Sequence, residues 1–137
     1  MWSFRRTCFG KCDSWEPSLQ RAMSRHRHFE SDPQSVRAVR RFVGEVIPDS
    51  PRLSDVVLAA SELATNAVRH TGTRYTVRIA VQPNLIRLEV TDASSVFPSL
   101  QGLTDSHRGL RIVDAISESW GIDGNTGGKT VWAEFDL

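Results

Sequence analysis

The chain has 137 residues, 17 of them basic and 16 acidic, with a formal net charge of +1, so charge balance alone points to no polyelectrolyte partner. That length suits one domain around a single core. No apolar run approaches the roughly 20 residues that span a bilayer, and the opening MWSFRRTCFGKC has no apolar stretch behind its basic residues, so the expectation is a cytoplasmic protein with no membrane anchor and no direct nucleic-acid partner.

Residues 1–28 hold six basic and two acidic residues (Asp13 and Glu16) and show no sustained hydrophobic period, so they read as a disordered amino-terminal leader, with Met23 as an alternative start. Cys8 and Cys12 precede His26 and His28, but a single residue between the histidines is shorter than the zinc-finger spacing, and the cysteines read as reduced thiols. Ser31 or Asp32 can cap a helix that opens with Pro33, continues through Val36, Val39, Phe42, Val43 and Val46, and stops at Pro48. Ser50 and Pro51 repeat the start signal. Leu53, Val56, Val57, Ala60, Leu63, Ala64 and Ala67 then form the apolar face of a second helix that ends at Gly72.

Alternation in Tyr75–Val81 and in Ile86–Thr91 around the turn Gln82–Asn84 predicts an antiparallel hairpin. Residues 93–107 are polar and aperiodic and read as a loop. A third helix is predicted over 108–118, then two strands near 119–123 and 129–136 around the turn 124–128. With a short strand near 28–30, the order predicts an α+β fold: a two-layer α/β sandwich over 29–137, its sheet mixed but mostly antiparallel, with the helices on one face.

Four places carry chemistry. In SELATNAVRHT (61–71), Glu62, Asn66 and Arg69 share one helical stripe; this is either a solvated polar ladder or a pair of hard oxygen donors suited to Mg²⁺, with a base beside them. Asparagine is a poor choice for a plain helix face, because its side chain competes for backbone hydrogen bonds. Along 86–92, Ile86, Leu88 and Val90 share a face, and Asp92 continues it. A carboxylate there needs a donor, from a local Asx turn or from a ligand N–H. Ser106-His107-Arg108-Gly109-Leu110 opens the third helix, either as a plain helix start or as a phosphate site on exposed N–H groups. Gly127-Gly128-Lys129-Thr130 reads as a hairpin turn entering a strand.

In this order, SELATNAVRHT, RLEVTD, HRGLRIVDAISESWG and GGKTVWAEFDL resemble the GHKL ATPase superfamily, and within it the small serine kinases that act as bacterial anti-sigma factors, especially the stand-alone actinobacterial members. The likeness runs from about residue 29 to the carboxyl end. It implies a Bergerat-type ATP-binding fold with ATP and Mg²⁺ as cofactors. Asn66 would hold Mg²⁺ against the phosphates, with Arg69 beside it, and Glu62 would be the general base. Asp92 would accept the adenine amino group, with Thr130 in support and Ser94 in the adjoining box. Arg108, Gly109 and Leu110 would offer backbone to the phosphates, and 93–107 would form a lid. The implied partners are a sigma factor and an anti-sigma factor antagonist phosphorylated on serine or threonine, with a homodimer as the implied assembly.

Two boxes depart from the family pattern. Asp92-Ala93-Ser94-Ser95-Val96 stands where Asp-x-Gly-x-Gly is usual, and His107-Arg108-Gly109 where Gly-x-Gly is usual. Fewer glycines imply a stiffer lid. The alternative function is therefore a nucleotide-dependent regulatory binding protein with little kinase activity.

Overall fold

The computed structural model describes residues 2–4, 23–94 and 105–137, with side chains from 23–94 and 108–137. Its first helix forms where a cap and a proline coincide. Of the two candidate caps it is Asp32 that serves: its Oδ1 accepts the Gln34 N–H at 2.9 Å and its carbonyl accepts the Ser35 N–H at 2.8 Å, with Pro33 between. Helix α1 (Ser35–Val46) buries Val36, Val39, Phe42, Val43 and Val46. The same device starts α2 (Leu53–His70): Ser50 Oγ accepts the Arg52 N–H at 3.0 Å, and Pro51 lies between. Gly72, at φ 64°, turns the chain out of α2 in the left-handed conformation that glycine adopts without strain.

Strands β1 (Trp2–Phe4), β2 (Met23–Phe29), β3 (Tyr75–Gln82), β4 (Leu85–Asp92), β5 (Ser119–Asn125) and β6 (Gly128–Asp136) form one sheet in the order β1-β5-β6-β4-β3-β2. All five pairings are antiparallel. Helix α3 (Asp105–Ile116) lies between β4 and β5 in sequence. Alternate residues of the sheet (Phe29, Tyr75, Val77, Ile79, Ile86, Leu88, Val90, Trp120, Ile122, Val131, Ala133, Phe135) share one core with the buried faces of the helices, so the helices cover a single face. No helix among the described residues is long and apolar enough to cross a membrane.

Three boundaries differ from expectation. The strand foreseen near 28–30 begins at Met23, and Trp2–Phe4 pairs with β5, so 23–28 and 2–4 are not leader but sheet. Along β2 only Phe29 is buried. Backbone pairing rather than side-chain burial holds Met23–His28 on β3, and such a strand leaves no hydrophobic alternation to read. Residues 5–22, with Cys8 and Cys12, and the lid segment 95–104 lie outside the described residues. Helix α3 begins at Asp105 rather than 108 and ends at Ile116, because the Glu118 N–H leaves the helix to reach the Glu134 carbonyl at 2.9 Å.

Arg52 ties the far ends of three elements together. Its guanidinium donates to Asp55 (3.1 Å), Glu118 (3.0 Å), the Ile116 carbonyl (2.9 Å) and the Asp136 carbonyl (2.7 Å). On the face away from the helices, Arg87 pairs with Glu134 and Glu89, both at 2.8 Å, and lies 4.5 Å over the Trp132 ring.

Tyr75 gives the fold a pH dependence. Burial pushes its phenol above the ordinary tyrosine range, and a 2.6 Å hydrogen bond with the Ser35 hydroxyl pulls partly the other way. The folded chain therefore keeps this proton to higher pH than the unfolded chain. The resulting stability is whole below about pH 10 and is lost as pH rises through the folded value. Urea midpoints should fall more steeply above about pH 10 in the wild type than in Tyr75→Phe; parallel curves would remove Tyr75 as the cause.

Candidate functional site

The carboxyl-terminal half of α2 and the start of α3 meet at Gly109. A Cβ built on Gly109 would stand 3.1 Å from Glu62 Oε2 and 3.3 Å from Asn66 Nδ2, so a residue without a side chain lets the α3 backbone rest on these two groups. Glu62 and Asn66 are half-buried against α3 rather than spread along a solvated ladder. Neither side chain has a hydrogen bond or ion pair among the described residues. Leu110 next door is a core residue, and because α3 begins at Asp105 the 108–110 N–H groups expected at a helix start lie inside the helical ladder instead; Arg108 and Arg69 are exposed. The His107 side chain lies outside the described residues.

Asp92 ends β4 on the core face, as its parity requires, and is 6% exposed. Of the two donors weighed for it from the sequence, the local Asx turn is the one seen. The Ser94 N–H closes an Asx turn onto Oδ1 at 2.8 Å. A further donor comes from the protein itself and is not among the expected site residues: Lys129 Nζ stands 3.0 Å from Oδ1 and 3.0 Å from Oδ2, and Lys129 is itself 5% exposed. Their positions are cross-strand partners in the β4–β6 register. Parity could have found Lys129, since Val131, Ala133 and Phe135 face the core and residue 129 precedes them on the same side.

By the same parity Thr130 is brought elsewhere. It pairs with Thr91 on the opposite face, their hydroxyls 2.8 Å apart, and it does not reach Asp92. The support expected from Thr130 comes from Lys129, one residue earlier.

Two contacts hold the end of β4 against the segment after α2 and against the start of β6. The Ala93 N–H just past β4 donates to Thr73 Oγ1, just past α2, at 3.4 Å. Gly128 holds the strands close there, because a Cβ on it would overlap the Asp92 carbonyl oxygen and stand 3.0 Å from Ala93 Cα. Gly128→Ala should therefore cost about 2 kcal/mol or more in urea unfolding, since the obstruction is backbone and cannot rotate away. A loss under about 0.5 kcal/mol would show that the two strands are not so tightly apposed.

The donor set suits a nucleotide-bound Mg²⁺ better than an all-protein cage. No cluster of three or more His, Cys, Asp or Glu side chains suited to a metal exists among the described residues. Mg²⁺ commonly takes only one or two protein oxygens together with phosphates and water, and Glu62 and Asn66 offer oxygens with no other partner among the described residues.

The wider comparisons bear on this geometry. The model of the histidine kinase-like ATPase domain matches residues 29–135. A crystal structure of the RsbU and RsbW domains of Rv1364c from Mycobacterium tuberculosis superposes with a TM-score of 0.65 at 23% identity. That match covers 82% of this chain and 32% of the other, so the chain spans about a third of that protein's length, and the likeness is one of fold. No curated protein sequence matches. With a family model matched across every described element from α1 through to β6, the chain belongs to the histidine kinase-like ATPase domain family.

Proposed function

We propose that this domain binds ATP with Mg²⁺ and acts as a serine/threonine protein kinase of the anti-sigma type, phosphorylating an anti-sigma factor antagonist and otherwise binding a sigma factor. The observation that carries the reading is the Glu62–Asn66 pair, unpartnered among the described residues and closely approached by the backbone at Gly109. Family membership supports ATP as the nucleotide. The sequence resemblance to anti-sigma kinases supports the acceptor class and the partners, as it does a cytoplasmic location and a homodimer.

In this reading Asn66 holds Mg²⁺ against the phosphates, with Arg69 and Arg108 adding positive charge at the rim. Glu62 takes the proton of the attacking hydroxyl. The N–H groups of 108–110 lie inside α3, which begins at Asp105, so the positive amino-terminal end of the helix dipole rather than these N–H groups would favour the phosphates. Asp92 accepts the base amino group, and Ser94 fixes the carboxylate through its N–H. Bound Mg²⁺ supplies charge neutralisation to phosphoryl transfer, a reaction that needs positioning and electrostatics more than covalent chemistry.

One observation favours a second reading, a nucleotide-dependent regulatory binder with little turnover. Both Asp92 oxygens are already engaged by Lys129, and the glycines usual in the neighbouring boxes are absent. Calorimetric titration with ATP, with and without Mg²⁺, tests the common core of both. Magnesium-dependent binding that weakens in Asp92→Asn is the expected result. Binding unchanged by Asp92→Asn would remove the base-pocket assignment, and no binding at millimolar ATP would remove both readings.

A further inference from the structure

Lys129 is buried, charged and unused by the function as so far drawn. Its ammonium has three N–H donors. Two go to the Asp92 oxygens, and Nζ makes no other hydrogen bond among the described residues. On the other side, Asp92 Oδ1 accepts from both Lys129 and Ser94, whereas Oδ2 accepts from Lys129 alone. A carboxylate oxygen has room for two such bonds. The pair is thus left with one spare donor, on Nζ, and one spare acceptor, on Oδ2, both at the end of β4.

A buried donor without a partner is costly, and a site that leaves one beside a spare acceptor is shaped for a ligand edge with the opposite pattern. The Watson–Crick edge of adenine has that pattern: an amino donor on C6 beside an acceptor ring nitrogen, N1. Gly128 brings β6 against the backbone of Asp92, and the register then sets Lys129 opposite the carboxylate.

We propose that Lys129 is a base-reading residue, donating to adenine N1 while Asp92 accepts from the amino group, so that the ion pair rather than the aspartate alone selects the base. This rests on the reading of the domain as an ATP-binding one. It assigns to Lys129 the place that the family resemblance implied for Thr130, which lies on the other face of the sheet.

The test titrates the full chain with ATP, with 1-deaza-ATP, which lacks only the N1 acceptor, and with GTP, in the presence of Mg²⁺. The wild type should bind 1-deaza-ATP at least about tenfold more weakly than ATP, because the analogue leaves the Lys129 donor unpaired. Lys129→Met should lose a similar factor for ATP and bind the two alike. Lys129→Arg, which keeps a cation, should retain a preference for ATP. Equal wild-type affinity for ATP and 1-deaza-ATP would overturn the assignment while leaving the ATP site standing. So would GTP binding as tightly as ATP, or a preference for ATP that survives in Lys129→Met. A wild-type chain that binds no nucleotide would overturn this assignment and the ATP reading together. The wild-type comparison decides the matter even if Lys129→Met does not fold.

Discussion

Glu62→Gln is expected to lower phosphoryl transfer from ATP by about two to four orders of magnitude while leaving ATP affinity within about twofold. The substitution is nearly isosteric, which matters here because Glu62 Oε2 has little room under the backbone of Gly109. Glutamine keeps the shape and an oxygen for a metal ion, and removes only the capacity to accept a proton. The unaided hydrolysis of ATP, with water in place of a protein hydroxyl, provides a readout that needs no partner. Phosphate release should fall with the substitution, and calorimetric affinity should hold. If the variant and the wild type hydrolyse ATP at the same measurable rate, Glu62 is not the base. If affinity falls with the rate, Glu62 serves the phosphates or their metal rather than the proton. Asn66→Ala should show the complementary pattern, with Mg²⁺-dependent binding lost first.

What could be read in the sequence, and what could not, divides along a physical line. The helices announced themselves because each start joins a polar cap to a proline: Asp32 with Pro33, and Ser50 with Pro51. The same holds for the central hairpin, whose alternation follows from one face being buried. Asp92 was legible for the same reason, as a charge continuing an apolar stripe. The strand at Met23 was not, since six of its seven residues are exposed and no hydrophobic period marks it. Lys129 was passed over for a different reason. The family resemblance places the supporting role on Thr130, while the residues GGKT alone read as a hairpin turn entering a strand. Only the two-residue period of β6, counted back from Val131, shows that lysine and not threonine shares a face with Asp92. Likewise, the helical stripe foretold that Glu62 and Asn66 lie together, but not that α3 would rest on them. That contact joins residues more than forty positions apart and depends on the absence of a side chain at Gly109.

Lys129→Met is expected to destabilise the fold by about 3 to 5 kcal/mol at neutral pH, measured as a fall in the urea midpoint at unchanged slope. The size follows from the asymmetry of buried ion pairs. Asp92 and Lys129 are each nearly sealed from water, and each is the other's sole counter-ion among the described residues. Removing the cation leaves a carboxylate with one backbone N–H, from Ser94, in place of three donated bonds. Removing both charges is a different matter, because neither desolvation cost then remains. The double variant Asp92→Asn/Lys129→Met should therefore recover most of the loss, with a coupling well above the few tenths of a kcal/mol seen between independent sites. Losses that simply add would mean that the two groups are solvated independently, and that the contact contributes little to the fold. Strong coupling would mean that the pair holds the end of β4 in place before any ligand arrives. The ion pair would then be a standing element of the site, with its spare donor and acceptor already set for a base.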